Sequence, residues 1–188
     1  LSPLALYADS NFQGCPSSRK STTGSLLTLF GCPVGWRSRR QSILALATAH
    51  AETVALCESI EWSQGISFCE LLEECHFSDY LLAPVPAQVW CDNSPALGQI
   101  DKEFLSPGSK HFSSRLSYCT QFRSRVWHLP SSLMRADALT KVASITMLKL
   151  LLTGRGGPSA EEVKRRTQVA TKARKRVTFG GEEIIEDR

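Results

Sequence analysis

The sequence lacks an apolar run long enough to cross a membrane, and no signal peptide is visible in it. A membrane-spanning helix needs about 18 or more consecutive apolar residues, so the sequence predicts no transmembrane segment and no membrane partner. It also lacks an initial Met, since the first residue is Leu1. We therefore expect the chain to be a fragment or a processed piece of a longer protein.

The cysteines lack the spacing of a metal site or a disulfide framework. There are seven of them, an odd number, with no C-x-x-C pair, and none of the four His falls at zinc-ligand spacing from them. The sequence therefore predicts buried, reduced and inert thiols in a cytosolic or nuclear protein.

Most of the chain also lacks an excess of charge of one sign. The net charge is +4, and residues 153–188 hold nine Lys or Arg against six Asp or Glu, which leaves thirteen against twelve for residues 1–152. The charge of the body alone therefore says little about nucleic acid. We predict one domain over residues 1–152, long enough to bury a core, followed by a linker and a flexible basic tail over residues 153–188, disordered or partly helical.

Strand and helix signals alternate along the body. Strands are predicted over residues 4–9, 21–30, 34–46, 89–92 and 126–129. Helices are predicted from Thr48 to about Gly65, over 66–75, from Ser94, over 109–122 and over 135–152. The first three strands are joined by tight turns, which favours an antiparallel meander. The order predicts an α/β fold in which a mixed sheet, three antiparallel strands plus two further strands, is flanked by helices.

Two of the predicted strands end on a carboxylate. An apolar run leads to Asp9, and a second short β-prone run leads to Asp92. A buried strand delivers the residue at its end to the rim of the sheet, where ligands bind in open α/β folds. The alternative is that each Asp only caps a turn.

Two further acids can converge on the same rim. Glu52 lies one turn inside the first long helix, and Asp137 lies in the first turn of the last predicted helix. Four carboxylates in one place repel one another unless cations neutralise them, and Mg²⁺ prefers carboxylate and water oxygens. Two such ions held about 4 Å apart would clamp the attacking and leaving oxygens of a phosphodiester displacement.

Seven short motifs occur in a fixed order between residues 4 and 145. They are Tyr7-Ala8-Asp9-Ser10, Arg19-Lys20-Ser21-Thr22-Thr23-Gly24, Trp36-Arg37-Ser38-Arg39-Arg40-Gln41, Ala51-Glu52-Thr53-Val54-Ala55-Leu56, Cys91-Asp92-Asn93-Ser94, Ser109-Lys110-His111 and Ala136-Asp137-Ala138-Leu139-Thr140-Lys141. Together they resemble the ribonuclease H domain that ends the Pol polyprotein of copia-type LTR retrotransposons.

The resemblance implies a ribonuclease H-like fold and metal-dependent cleavage of the RNA strand of RNA–DNA hybrids. Its implied cofactor is a pair of Mg²⁺ ions, with Mn²⁺ as a substitute. The family's catalytic and metal-binding acids fall on Asp9, Glu52, Asp92 and Asp137. The implied partners are an RNA–DNA hybrid and the reverse transcriptase and integrase portions of the same polyprotein, in a cytoplasmic retroelement particle or in the nucleus.

The chain departs from the family's pattern at two places. His50 stands where the family usually has a Glu two residues before the helix Glu, and we interpret it as a substitution on the helix surface. Glu52 keeps the ligand assignment because the residues after it keep the family's register. After Lys110-His111 the family's usual acid is lost, and Phe112-Ser113-Ser114 stands there. The stretch 130–136 contains no His, as in the copia-type domains, so we assign no general acid.

Seven basic residues are predicted to contact phosphates, which position a duplex without reading its sequence. Solvated surface charge is the alternative for each one singly. These residues are Arg19, Lys20, Arg37, Arg39, Arg40, Lys110 and Arg115.

The tail offers separate signals. Seven basic residues and no acid lie between Lys164 and Arg176, which suggests nucleic-acid contact or nuclear import, against the default of a solvated tail. Arg176-Val177-Thr178-Phe179 resembles the short motif that docks regulatory partners on type-1 protein phosphatase in a strand-adding mode.

Two functions other than the nuclease therefore stay open. One is a decayed or domesticated ribonuclease H-like domain that binds nucleic acid or a protein partner without catalysis. The other is a phosphatase- or import-directed adaptor.

Overall fold

The computed structural model describes residues 4–65, 74, 88–101 and 112–153. Five strands form one sheet: β1 Leu4–Asn11, β2 Thr22–Leu29, β3 Cys32–Arg40, β4 Gln88–Cys91 and β5 Val126–His128. The α-helices are α1 Thr48–Gly65, α2 Ser94–Ile100, α3 Ser113–Thr120 and α4 Ile145–Thr153. Short 3-10 helices span Arg123–Arg125, Ser131–Leu133 and Arg135–Leu139.

The sheet is mixed, as predicted. Its strand order is β3-β2-β1-β4-β5, with β1 antiparallel to β2, β2 antiparallel to β3, and β4 parallel to both β1 and β5. Because β1 and β4 run side by side in the same direction, their carboxyl ends reach the same rim of the sheet. The fold thus brings together the two strand ends that carry acids.

Alternate side chains of β1 point to opposite faces of the sheet. Leu6 pairs with Leu27 and belongs, with Leu56 of α1, to the hydrophobic core. Asp9 has the opposite parity and pairs with Gly24 of β2. A Cβ atom at Gly24 would stand only 2.6 Å from Cγ2 of Thr140. The missing side chain therefore lets the segment that carries Asp137 approach the sheet next to Asp9.

The prediction that β3 continues to Leu46 is wrong. β3 ends at Arg40, which pairs with Thr22 at the first position of β2. Beyond that pair β2 offers no further partner, so the ladder stops. Gln41 instead donates from its backbone N to the Ser21 carbonyl (2.8 Å) and from Nε2 to the Ala51 carbonyl (2.9 Å), which turns the chain towards α1.

The prediction of one continuous helix over residues 135–152 is also wrong. The buried Arg135 guanidinium donates to the carbonyl of Gly31 and to the carbonyls of Leu150 and Leu151 at the end of α4. In a continuous helix residues 135 and 150 would lie about 22 Å apart at 1.5 Å per residue. The chain must therefore turn back between the last 3-10 helix and α4.

Several predicted features lie outside the described residues. They are the helix over 66–75 apart from residue 74, the start of the helix over 109–122, Lys110 and the tail from residue 154 onward, including the phosphatase-docking motif. Among the residues that are described, no helix combines the length and the apolar character needed to cross a membrane.

The described cysteines are free, and Cys57, Cys91 and Cys119 are buried as predicted, whereas the prediction of burial is wrong for Cys32, which is exposed. Cys15 differs from the prediction of inert thiols. It lies in the connection between β1 and β2, and hydrogen bonds from the Ser17 and Ser18 side chains lower its pKa to about 6. A thiol with that pKa is largely thiolate at neutral pH, which is the reactive form.

We expect Cys15 to react with iodoacetamide at pH 7 faster than the other described cysteines. Its alkylation rate should rise with pH and reach half of its plateau near pH 6, because the thiolate is the attacking species. Peptide mapping after short alkylation pulses from pH 5 to 9 measures this, with Cys15→Ser to confirm the assignment. A rate at Cys15 that rises only above pH 8 would contradict the expectation.

Candidate metal centre

The structure brings the four predicted acids together at one rim of the sheet. Carboxylate oxygens of Asp9, Asp92 and Asp137 lie within 4.8 Å of one another. A second group with the same spacing joins Glu52, Asp92 and the Cys91 thiol. Asp92 belongs to both groups, so the four acids form one acidic cluster, defined here as Asp9, Glu52, Asp92 and Asp137.

Glu52 enters the acidic cluster from α1. It is only 4% exposed, and its Oε1 accepts a hydrogen bond from the Ser10 hydroxyl at 2.8 Å. Its Oε2 is buried and has no hydrogen-bond partner among the described residues. Burial, reinforced by the charge of Asp9, raises the pKa of Glu52 to about 8. One oxygen of this carboxylate is therefore oriented by the protein and the other is open to a ligand.

Asp9 is buried even more completely, with 1% of its surface exposed. The Thr140 hydroxyl donates to its Oδ2. Burial raises the pKa of Asp9 to about 7, and the neighbouring Asp137 adds to the shift, while the Thr140 hydrogen bond opposes it. A carboxyl that is costly to ionise when alone is one that a cation can stabilise strongly.

Asp92 and Asp137 lie nearer the surface. Asp92 follows β4, and its carbonyl accepts a hydrogen bond from Nε2 of His128 at the end of β5 (3.1 Å). Asp137 lies within the 3-10 helix Arg135–Leu139, and its Oδ1 is 2.7 Å from the Lys141 ammonium. These two carboxylates are the accessible side of the acidic cluster.

The donor set fits a hard divalent cation. Burial raises the pKa of the Cys91 thiol well above its usual value, so this sulfur stays protonated and neutral beside the carboxylates. That leaves carboxylate oxygens from four residues, of which Glu52 Oε2 is buried without a partner among the described residues. Mg²⁺ prefers oxygen ligands of this kind. The assignment of the four acids as ligands stays a prediction.

Sequence reasoning missed three residues that act on the acidic cluster. Ser10 orients Glu52, Thr140 orients Asp9, and Lys141 pairs with Asp137. The spacing of Lys141 four residues after Asp137 was a usable signal, because such residues are neighbours on a helical turn. The contacts of Ser10 and Thr140 join distant parts of the chain, so no local sequence pattern predicted them.

The interpretation of His50 as a surface substitution is wrong. His50 is 3% exposed, and its ring stacks on Phe112 with the centroids 4.1 Å apart. Its Nδ1 accepts a hydrogen bond from the Leu46 backbone N at 3.3 Å. The ring therefore anchors the start of α1, two residues before Glu52.

Of the predicted phosphate-binding residues that the structure describes, the three on β3 are divided between the two faces of the sheet. Arg37 and Arg39 pair with Ser25 and Thr23, whose side chains bond to α1, so both arginines lie on the α1 face of the sheet. Arg40 follows on the opposite face.

The other predicted phosphate contacts are spread further. Lys20 in the β1–β2 connection donates to the Ser42 carbonyl (2.7 Å). Arg115 on α3 lines a groove of about 370 Å³ with Cys57 and Glu61 of α1. Contact with phosphates stays a prediction for each of these residues.

Comparison with known proteins gives relatives by sequence. No family model matches the chain. It is 28% identical over 142 residues to the "Retrovirus-related Pol polyprotein from transposon TNT 1-94" of Nicotiana tabacum, covering 72% of this chain and 10% of that protein. It is 40% identical over 58 residues to the "Secreted RxLR effector protein 161" of Plasmopara viticola, covering 31% of this chain and 41% of that protein. The chain thus spans about a tenth of the polyprotein and two fifths of the effector.

Comparison with solved structures gives the fold. LC11-RNase H1, isolated from compost by a metagenomic approach, superposes with a TM-score of 0.52 at 16% identity. The match covers 79% of this chain and 99% of that one. The predicted ribonuclease H-like fold is therefore confirmed, and so is the predicted resemblance to the ribonuclease H domain of a retrotransposon Pol polyprotein.

Proposed function

We propose that this chain, a ribonuclease H domain related to retrotransposon Pol polyproteins, is a metal-dependent endonuclease that cleaves the RNA strand of RNA–DNA hybrids. The observation that carries the proposal is the acidic cluster at the rim where β1 and β4 end side by side. Such a concentration of buried and half-buried carboxylates is costly without cations. The copia-type affiliation belongs to the same proposal and is supported by the seven ordered motifs.

The four acids would hold two Mg²⁺ ions, with Mn²⁺ as a substitute. Bound there, the ions supply the positive charge that activates a water and stabilises the leaving 3′ oxygen of a phosphodiester. The chain's own residues orient the ligands. Ser10 holds Glu52 by one oxygen, and Thr140 holds Asp9.

Access for the substrate comes from the outer side of the acidic cluster. Asp92 is half-buried, and the Asp137 side chain is 18% exposed, so a phosphate can approach both from solvent. The two deeply buried acids, Asp9 and Glu52, lie behind them. Preference for a hybrid would rest on the 2′-hydroxyl groups of the RNA strand. In this proposal the domain works beside the reverse transcriptase and integrase portions of its polyprotein, in a cytoplasmic particle or the nucleus.

The test is cleavage of labelled duplexes of one sequence. With Mg²⁺ or Mn²⁺ the protein is expected to cut the RNA of an RNA–DNA hybrid, to spare double-stranded DNA, and to lose all cutting in EDTA. Gel analysis of end-labelled strands measures the products. Tight binding of the hybrid with no cutting in either metal would refute the nuclease and favour the decayed or domesticated copy.

A further inference from the structure

Lys141 places an ammonium group beside the acidic cluster. Its Nζ is 2.7 Å from Asp137 Oδ1, and the two side chains are 44% and 18% exposed. Asp137 is one of three acids whose carboxylate oxygens lie within 4.8 Å of one another. The Lys141 charge acts on Asp9 as well as on Asp137 and Asp92.

The backbone around Lys141 is held against β1. The Thr140 carbonyl accepts a hydrogen bond from Asn11 Nδ2 at 3.1 Å, and the Thr140 hydroxyl donates to Asp9. The Lys141 backbone N donates to the Asp137 carbonyl at 3.1 Å. The base of the Lys141 side chain is therefore fixed, while the half-exposed ammonium can leave Asp137 for solvent by rotation of its own stem.

We infer that the Lys141 ammonium is an internal counter-ion of the acidic cluster and competes with a divalent cation for Asp137. The inference rests on the proposed function, because it takes the acidic cluster as a metal site. A lysine ammonium is a compact point charge on a flexible stem, so it can occupy the place of a cation and then withdraw. Metal entry breaks the contact between Lys141 and Asp137. The free energy of that contact is lost when the metal binds, so the metal binds more weakly than it would without Lys141.

The experiment compares Mg²⁺ binding by isothermal titration calorimetry in the wild type, Lys141→Met, Lys141→Arg and Lys149→Met. Lys141→Met should bind Mg²⁺ roughly tenfold more tightly, because a partly exposed ion pair and the repulsion of a neighbouring ammonium are both removed. Lys141→Arg keeps the charge and should stay near the wild-type affinity. Lys149→Met removes an equal charge from the exposed side of α4 and should change the affinity less than about twofold.

A second readout is the melting temperature, measured first without metal and then with Mg²⁺. In EDTA, Lys141→Met should unfold at a lower temperature than Lys149→Met, because the three carboxylates lose their counter-ion, and saturating Mg²⁺ should remove the difference. Equal or weaker Mg²⁺ affinity in Lys141→Met would overturn the inference. So would an equal gain in Lys149→Met, which would make the effect one of net charge.

The two proposals fail in different ways. Cleavage of a hybrid by the wild type together with unchanged Mg²⁺ affinity in Lys141→Met would overturn the role of Lys141 and leave the nuclease intact. Tighter Mg²⁺ binding in Lys141→Met without any cleavage by the wild type would support the counter-ion and overturn the nuclease. Absence of Mg²⁺ binding in every protein would overturn both.

Discussion

Asp92→Asn is expected to abolish metal-dependent cleavage of the RNA strand in a hybrid. Asp92 belongs to both groups of donors in the acidic cluster, so its charge serves every cation bound there. The amide keeps the shape of the side chain and removes that charge. The rate should fall by more than the 10- to 100-fold typical of residues that only support metal ligands.

Asp101→Asn is the matched control. Asp101 is an exposed carboxylate at the end of α2, the helix that begins two residues after Asp92. The same chemical change there should leave the rate within about twofold of wild type, as for most surface substitutions. Circular dichroism and the melting temperature should show that both variants fold. Equal residual cleavage by the wild type and Asp92→Asn would identify a contaminating nuclease.

The metal-free protein is expected to lose stability as the pH rises from about 5 to 9. Folding raises the pKa of Asp9 from 3.8 to about 7 and that of Glu52 from 4.5 to about 8, with burial as the main cause of each. Between those limits the folded state holds more protons than the unfolded state, so stability falls with pH. The stability penalty is absent below the unfolded pKa values and complete above the folded ones. It amounts to several kcal/mol, at about 1.4 kcal/mol per pKa unit.

Glu52→Gln measures how much of the pH-dependent loss of stability comes from Glu52. The amide carries no charge at any pH, so the variant should be more stable than the wild type at pH 9 in EDTA and should show a shallower dependence on pH. Urea unfolding at pH 5, 7 and 9 measures the difference. Glu61→Gln, on the exposed side of the same helix, is the control.

At pH 9, Mg²⁺ should remove or reverse the stability advantage of Glu52→Gln over the wild type. The wild type should gain stability from Mg²⁺ at pH 9, because the ion binds the ionised carboxylates, whereas Glu52→Gln should gain much less. Parallel pH profiles for the wild type and Glu52→Gln in EDTA would show that Glu52 is ionised at no cost, and the electrostatic account of the acidic cluster would then be wrong.

Sequence patterns alone predicted the fold class and the four acids of the candidate site. Apolar runs of strand length that end on Asp9 and Asp92 are local signals. When two such strands lie side by side and parallel, their ends place both acids at the same rim of the sheet. The start of α1 at Thr48 and its end at Gly65 are also local, since they follow from the change of hydrophobic period and from an interrupting glycine. Glu52 therefore fell in the correct turn of a correctly placed helix.

The side chains that surround those acids follow from contacts between distant parts of the folded chain. The contacts of Ser10 with Glu52 and of Thr140 with Asp9 span 42 and 131 residues of the chain. The end of β3 at Arg40 depends on where β2 runs out of partners, and the distribution of the arginines over two faces depends on register. The break before α4 depends on Arg135, which reaches carbonyls that come next to it only after the chain has turned back. Such contacts join residues distant in sequence, and patterns of composition and period carry information only about near neighbours.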